Sequence, residues 1–207
     1  GLELNLIADV GILGVPNAGK SSFLAAVTNA TPKIADYPFT TIEPNLGVVN
    51  LDMDNSLVLA DIPGLIEGAH KGAGLGDAFL RHIQRTKVLI HILDGLSEDP
   101  IADFSQINSE MALFDPALAQ KSQLVIFNKM DIPEAKDKWP FIKKTLESKG
   151  YKPMAISAMI RQDLQPVLWK ALELVQNAPE PEIAESIPVH RPEEDPNDFH
   201  IEIESEG

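Results

Sequence analysis

Residues Gly14 to Ser21 read Gly-Val-Pro-Asn-Ala-Gly-Lys-Ser, and this octet constrains the fold more than any other stretch of the chain. It has the G-x-x-x-x-G-K-[ST] spacing of a phosphate-binding loop. Each position has a physical task. Gly14 and Gly19 permit the tight turn that lets successive backbone N–H groups converge on phosphate oxygens. Lys20 would reach the outer phosphates as a point charge, and the Ser21 hydroxyl suits Mg²⁺. The apolar run Ile7 to Leu13 before the loop reads as a buried strand that aims it. Lys20 to Thr28 reads as a helix whose positive N-terminal end, at Ser21 and Ser22, also faces the anion. The expected anion site is therefore Gly14, Val15, Pro16, Asn17, Ala18, Gly19, Lys20, Ser21 and Ser22.

A phosphate loop needs a sheet behind it, and the rest of the chain supplies one. Strands are expected at Val10–Leu13, Gly47–Leu51, Leu57–Ala60, Val88–Leu93, Leu124–Phe127 and Met154–Ile156. Asp54-Asn55 is a hairpin signal that makes the second and third of these antiparallel neighbours. Helices are expected over Phe104–Ala119 and Glu134–Ser148, with Pro140 breaking or kinking the latter. A shorter one should start at Asp77 as N-cap and reach about Thr86. The last helix should follow Asp163 as its N-cap. Its apolar positions Leu164, Val167, Leu168, Ala171, Leu172 and Val175 fall on one face, with Trp169 outside it. His91, inside an apolar run, is expected to be a hydrogen-bonded core residue and not a ligand. Alternating strands and helices point to an α/β three-layer fold with a mostly parallel sheet and one antiparallel edge hairpin. The ligand would lie at the carboxyl ends of the strands.

Two stretches resist this assignment. Residues 29–46 contain Pro32, Pro38 and Pro44 and are expected to be irregular and functional. Ile62 to Gly76 carries five glycines and is expected to move. Thr40 and Thr41 lie in the first. Thr41 would close onto Mg²⁺ and the terminal phosphate, with Phe39, Ile42 and Glu43 around it. In the second, Asp61-Ile62-Pro63-Gly64 ends a strand. Asp61 would act on Mg²⁺ through water in its coordination shell. The Gly64 N–H would approach the terminal phosphate. Asp-x-Pro-Gly is also an ordinary turn, so its meaning comes from its position.

Asn128-Lys129-Met130-Asp131 directly follows a buried strand. Such an N-K-x-D segment suits a guanine reader. The Asp131 carboxylate would accept from the ring N–H and the exocyclic amino group, a donor pair that adenine lacks. Lys129 would lay its aliphatic stem along the base. Ser157-Ala158, at another strand end, would support the base through backbone N–H groups, and Met159 is expected beside them in the nucleotide site. The alternative for Asn128–Asp131 is a plain strand-end turn.

Composition sets the limits. The 207 residues are 44% apolar and 23% charged, enough for one sizeable core at 1–178. Cysteine is absent, which excludes disulfides and thiolate metal sites. The net charge is −14, of which residues 180–207 hold −9, leaving −5 elsewhere. That acidic surface argues against adhesion to DNA or to an anionic membrane. No run approaches the roughly 18 apolar residues of a membrane span. With no basic apolar leader at the start, a cytoplasmic location is expected. The first residue is Gly, so the chain is expected to be a fragment or a processed form. Residues 179–207, acidic and proline-rich, read as a linker or tail, or as the start of a further domain. In that tail, Phe199–Ile203 alternates like a strand.

Together these segments resemble the G domain of the Obg-type GTPases, in the translation-factor-related P-loop group. The resemblance is carried by Gly14–Ser21 with Pro16-Asn17 and by Asp36-Tyr37-Pro38-Phe39-Thr40-Thr41 with Pro44-Asn45-Leu46-Gly47. Asp61 to Ala69, Gly72 to Gly76, Asn128–Asp131 and Ser157-Ala158 also carry it. It covers about residues 5 to 178. It implies a Ras-like fold, GTP and GDP as substrate and product, Mg²⁺, and a role around the large ribosomal subunit through domains absent here. It implies catalysis by Lys20, Thr41 and Gly64. Ser22 stands where the family often has Thr. Leu65 stands where Ras-like proteins carry a water-orienting Gln. The likeness of Asn17 to the Asn of potassium-dependent relatives implies a K⁺ beside the phosphates. Two rival readings are a binding scaffold with incidental hydrolysis and an ATP-using enzyme sharing the phosphate loop.

Overall fold

The computed structural model describes residues 8–29, 32–34, 44–61 and 84–179. Their elements, in chain order, are β1 (Val10–Leu13), α1 (Lys20–Val27), β2 (Lys33–Ile34), β3 (Asn45–Asn50), β4 (Ser56–Asp61), β5 (Val88–Asp94), α2 (Pro100–Phe114), α3 (Pro116–Ala119), β6 (Ser122–Asn128), α4 (Pro133–Ser148), β7 (Met154–Ala155) and α5 (Leu164–Asn177). The strands form one sheet in the order β2-β3-β4-β1-β5-β6-β7. From β4 to β7 all neighbours are parallel. The β2–β3 and β3–β4 pairs are antiparallel. The chain leaves β1 to one side first and to the other later, so the loop after β1 opens at the switch point of the sheet.

Period-2 alternation in the central strands sorts the core into two layers. Ile90 and Ile92 of β5, with Leu124 and Ile126 of β6, face α1 and α5. Leu93 of β5, with Val125 and Phe127 of β6, faces α2 and α4. Such strands must be apolar throughout, because helices cover both faces. In α5 the six stripe residues Leu164, Val167, Leu168, Ala171, Leu172 and Val175 are all buried, while Trp169 is 44% exposed. Each large aliphatic side chain on this stripe contributes roughly 2 kcal/mol by leaving water.

Several boundaries differ from the sequence reading, each for a local reason. The stretch 29–46 contains the short strand β2, which pairs Lys33 with Leu46 and Ile34 with Asn45. Two residues between prolines give no periodic signal. The expected helix over Phe104–Ala119 starts earlier and is broken. Asp99 caps α2 by accepting from the Ala102 N–H at 3.0 Å. Asp115 ends it in extended backbone, φ −152°, and caps α3 through the Ala117 N–H. Pro116 causes the break, because the residue before a proline is driven out of the α region. Pro140, by contrast, does not break α4, which runs unbroken through it. Pro140 is exposed, so the Lys136 carbonyl that it leaves without a donor lies on the solvent side. Asp163 occupies the N-cap position of α5, but in left-handed backbone and without a side-chain capping bond.

His91 lies wholly inside the sheet, as its apolar surroundings predict. Its Nδ1 is 2.9 Å from Gln123 Oε1, and Gln123 Nε2 donates to Asn108 Oδ1 at 2.7 Å. Because the Gln123 amide nitrogen is engaged with Asn108, its oxygen faces the ring and Nδ1 donates. The helix expected from Asp77 lies largely outside the described residues, as does the whole of 180–207 with its strand-like Phe199–Ile203.

Candidate nucleotide site

Strand β1 delivers Gly14 to the carboxyl edge of the sheet. A Cβ on Gly14 would stand 2.7 Å from the Ile92 carbonyl oxygen, so glycine is required by close approach. Gly19 is required for two reasons. Its φ is +103°, and a Cβ there would collide with the Asn128 amide nitrogen. Asn17 also adopts left-handed backbone, φ 67°. Pro16 and Asn17 are exposed, while Ala18 is wholly buried. Val15 packs on the core, and the Val15 carbonyl accepts from the Ala18 N–H at 3.1 Å. Val15 and Ala18 thus shape the loop by packing and backbone, not by presenting side chains to a ligand.

Gly19 is the N-cap of α1, and no side chain among the described residues caps that end. The first-turn N–H groups, including those of Lys20, Ser21 and Ser22, are therefore not claimed by a capping side chain, which suits an anion. Lys20 Nζ donates to the Gly14 and Val15 carbonyls at 2.8 and 3.2 Å. The lysine thereby holds its ammonium inside the curve of the loop.

Ser21 Oγ donates to Asp61 Oδ2 at 3.1 Å, joining the start of α1 to the end of β4. Asp61 is 4% exposed, and its other carboxylate oxygen, Oδ1, is buried with no hydrogen-bond partner among the described residues. Burial raises the Asp61 pKa, against the opposing pull of the Lys20 charge and the Ser21 hydrogen bond. A hydroxyl and a carboxylate with a spare buried oxygen are the hard oxygen donors that Mg²⁺ takes. The described residues contain no cluster of three or more His, Cys, Asp or Glu suited to a metal. One carboxylate, one hydroxyl and phosphate oxygens make a sufficient set for Mg²⁺ without such a cluster.

Across the cleft, β6 ends in Asn128, which is 3% exposed. Its Nδ2 donates to the Ala18 carbonyl at 2.9 Å, and its Oδ1 accepts the Ala158 N–H at 3.0 Å. Asp131 Oδ1 accepts from Ser157 Oγ at 2.7 Å. Lys129 adopts φ 75° and pairs with Asp94 at 2.9 Å. Met130 turns away, half-buried in the α2–α4 layer, and its N–H donates to the Ile156 carbonyl at 3.1 Å. The Ser157 N–H donates to the Gln162 carbonyl at 3.2 Å. In this structure the backbone N–H groups of Ser157 and Ala158 thus donate to protein acceptors. Ser157 also contributes its hydroxyl, which anchors Asp131.

The two halves meet in one cavity of about 350 Å³. Asn17, Gly19, Lys20, Ser21 and Ser22 form one wall, and Asn128, Lys129, Asp131, Ala158 and Met159 the other. Phe39, Thr40, Thr41, Ile42, Glu43, Ile62, Pro63, Gly64 and Leu65 lie outside the described residues. Asp94 and Gly95 were not anticipated from the sequence. The signal was present, since Asp94-Gly95 ends the buried run 88–93 just as Asn128 ends 124–127.

Residues 9–129 match the family described as 50S ribosome-binding GTPase. GTPase Obg of Symbiobacterium thermophilum is 52% identical over 199 residues, covering 94% of this chain and 47% of that protein. GTPase Obg of Caldanaerobacter subterraneus subsp. tengcongensis is 48% identical over 207 residues, covering 98% of this chain and 49% of that protein. The chain thus spans about half the length of these curated relatives. Among solved structures, the cytosolic domain of the T. maritima FeoB iron transporter in its GMPPNP form superposes with a TM-score of 0.61 at 21% identity. That likeness covers 82% of this chain and 64% of the other. A point variant of Aquifex aeolicus Era bound to GDP and AlF4⁻ gives 0.58 at 24% identity, covering 83% and 56%. These two likenesses support the Ras-like α/β fold that the resemblance implies. By its match over residues 9–129 and its identity to the Obg proteins, the chain belongs to the 50S ribosome-binding GTPase family, as the G domain of an Obg-type member.

Proposed function

We propose that this domain binds GTP and GDP in the cleft between the Gly14–Ser22 loop and the Asn128–Asp131 segment, and hydrolyses GTP to GDP and phosphate as a molecular switch. The observation that carries the reading is that the G-x-x-x-x-G-K-S segment and the N-K-x-D segment wall the same cavity. The Asp131 carboxylate, held by Ser157, takes the two guanine donors. Lys20 and the first-turn N–H groups hold the outer phosphates and stabilise the charge that develops on them. Ser21 and Asp61, with Thr41, would hold Mg²⁺, which would neutralise phosphate charge. By the family resemblance, the Gly64 N–H would serve the terminal phosphate. The protein does little covalent work here, so positioning and electrostatics supply the catalysis.

Leu65 offers no hydrogen-bonding group to orient the attacking water. Unassisted turnover is therefore expected to be slow, on the order of 10⁻⁴ to 10⁻³ s⁻¹. Asn17 is the candidate for holding a K⁺ beside the phosphates. A K⁺ stimulation over Na⁺ at equal ionic strength, lost in Asn17→Ala, supports that role. The partner is the large ribosomal subunit, engaged through parts of the protein beyond this domain. The location is cytoplasmic; among the described residues no helix is long and apolar enough to cross a membrane.

The deciding experiment is competition of GTP and ATP for a fluorescent GDP, in wild type and Asp131→Asn. GTP should displace it and ATP should not. The variant should bind GTP more weakly and xanthosine triphosphate better, because an amide donates where the carboxylate accepted. Displacement by ATP as effective as by GTP would overturn the reading.

A further inference from the structure

We propose that Asp94 is a positioning residue for guanine-nucleotide binding, acting through Lys129. The inference rests on the cleft being the guanine-nucleotide site. Lys129 lines the cleft in left-handed backbone, directly after the buried Asn128. Its ammonium meets Asp94 Oδ1 at 2.9 Å, with the two side chains 24% and 14% exposed. Asp94 and Asn128 are register partners at the ends of neighbouring strands, so the pair spans adjacent strand termini. Gly95 permits that closeness. A Cβ there would stand 2.7 Å from the Ala135 Cβ and would collide with the Asn128 carbonyl oxygen.

A lysine has a flexible four-carbon stem and a strongly hydrated head. Without a partner the head moves to water and takes the stem with it. With Asp94 on the head, the stem is left across the cleft wall as a preordered apolar surface. Preordering of this kind strengthens binding by removing an entropy cost. The carboxylate is itself fixed, because the same Oδ1 accepts the Leu96 N–H at 2.8 Å.

Those two tasks can be separated. An amide at position 94 still accepts the Leu96 N–H, but it lacks the charge that holds Lys129. A purely turn-forming Asp94 would therefore tolerate Asp94→Asn without effect on nucleotide.

The test measures fluorescent-GDP affinity and dissociation rate for wild type, Asp94→Asn, Asp94→Ala, Lys129→Ala and Asp94→Asn with Lys129→Ala. Thermal melting of each checks the fold. Asp94→Asn should melt like wild type yet release GDP about tenfold faster. In the Lys129→Ala background the same change should have no further effect, since its target is gone. Asp94→Ala should lose as much GDP affinity and should also melt lower. Unchanged GDP release in Asp94→Asn, or an equal loss in both backgrounds, overturns the proposal. If wild type itself binds no GDP, the reading of the cleft falls and this one with it. If wild type binds and Asp94→Asn binds equally, only this one falls.

Discussion

The side-chain amide of Asn128 donates to the carbonyl of Ala18 at 2.9 Å, across 110 residues of sequence. Its oxygen receives the Ala158 N–H at 3.0 Å, so one buried residue ties the phosphate loop, the β6 end and the β7 end into a single rim. Asn128→Ala leaves a buried carbonyl and a buried N–H without partners. The expected cost is about 2 to 4 kcal/mol of stability. Nucleotide affinity should fall as well, because the two walls are no longer held together. Thermal melting and GDP titration check this. Wild-type values in both would show that Asn128 is not the clamp.

Asp61 is built at a cost to the fold. Its raised pKa means that the ionised carboxylate is less favourable here than in the unfolded chain. Stability from this group is full below the unfolded value of 3.8 and is lost as pH rises through the higher folded value. At neutral pH the penalty is present. Asp61→Asn should therefore melt slightly higher than wild type without nucleotide. The same variant should lose the Mg²⁺ dependence of GTP binding. A lower melting temperature, or Mg²⁺ dependence like wild type, would contradict the reading of Asp61 as a metal-facing carboxylate.

His91 gives the opposite sign. Burial lowers its pKa from 6.5 to about 4, against the hydrogen bond with Gln123 that raises it. The unfolded chain takes up a proton near 6.5 while the folded chain does not, so stability is lost as pH falls from about 6.5 to about 4. The full loss is about 3 kcal/mol, at 1.36 kcal/mol for each pH unit of separation. His91→Asn should be less stable at pH 7.5 but flatter between pH 7 and pH 4.5. Parallel melting profiles for the two proteins across that range would sink the assignment.

Pro140 sits in an exposed turn of α4 and has no N–H for the Lys136 carbonyl. Pro140→Ala restores that bond and removes the ring. A gain of about 1 to 3 kcal/mol in denaturant unfolding is expected, with GDP affinity unchanged. A loss of stability would mean that the ring packs on something that matters more than the missing bond.

Much of this molecule is local, and local features can be read from sequence. The glycines at 14 and 19 state their own backbone requirements. The apolar runs of β5 and β6 announce strands covered on both faces, and the stripe of α5 announces its buried side. The N-K-x-D spacing already placed Asp131 at a strand end. Pro116 also carried a local signal, since a proline drives the residue before it out of the helix, yet the boundary at Asp115 emerged only from the folded backbone.

What the sequence did not carry depends on distance. Strand β2 exists because β3 offers it an edge; two residues have no periodicity of their own. Pro140 is tolerated because tertiary packing holds α4 on its other side, through Ala135, Ile142 and Leu146. The partners of Asn128, Lys129 and Asp131 lie elsewhere in the chain, at Ala18 in the loop after β1, Asp94 at the end of β5 and Ser157 just past β7. No spacing rule links those positions, because the sheet order that brings them together is set by which apolar faces pack. The sequence named the candidate groups, and the fold brings Gly19 to Ser22 together with Asn128, Lys129 and Asp131 around one cavity. The fold alone decided that Asp94 stands against Lys129. Hydrogen bonds between strand ends form only once the core has fixed the strands side by side.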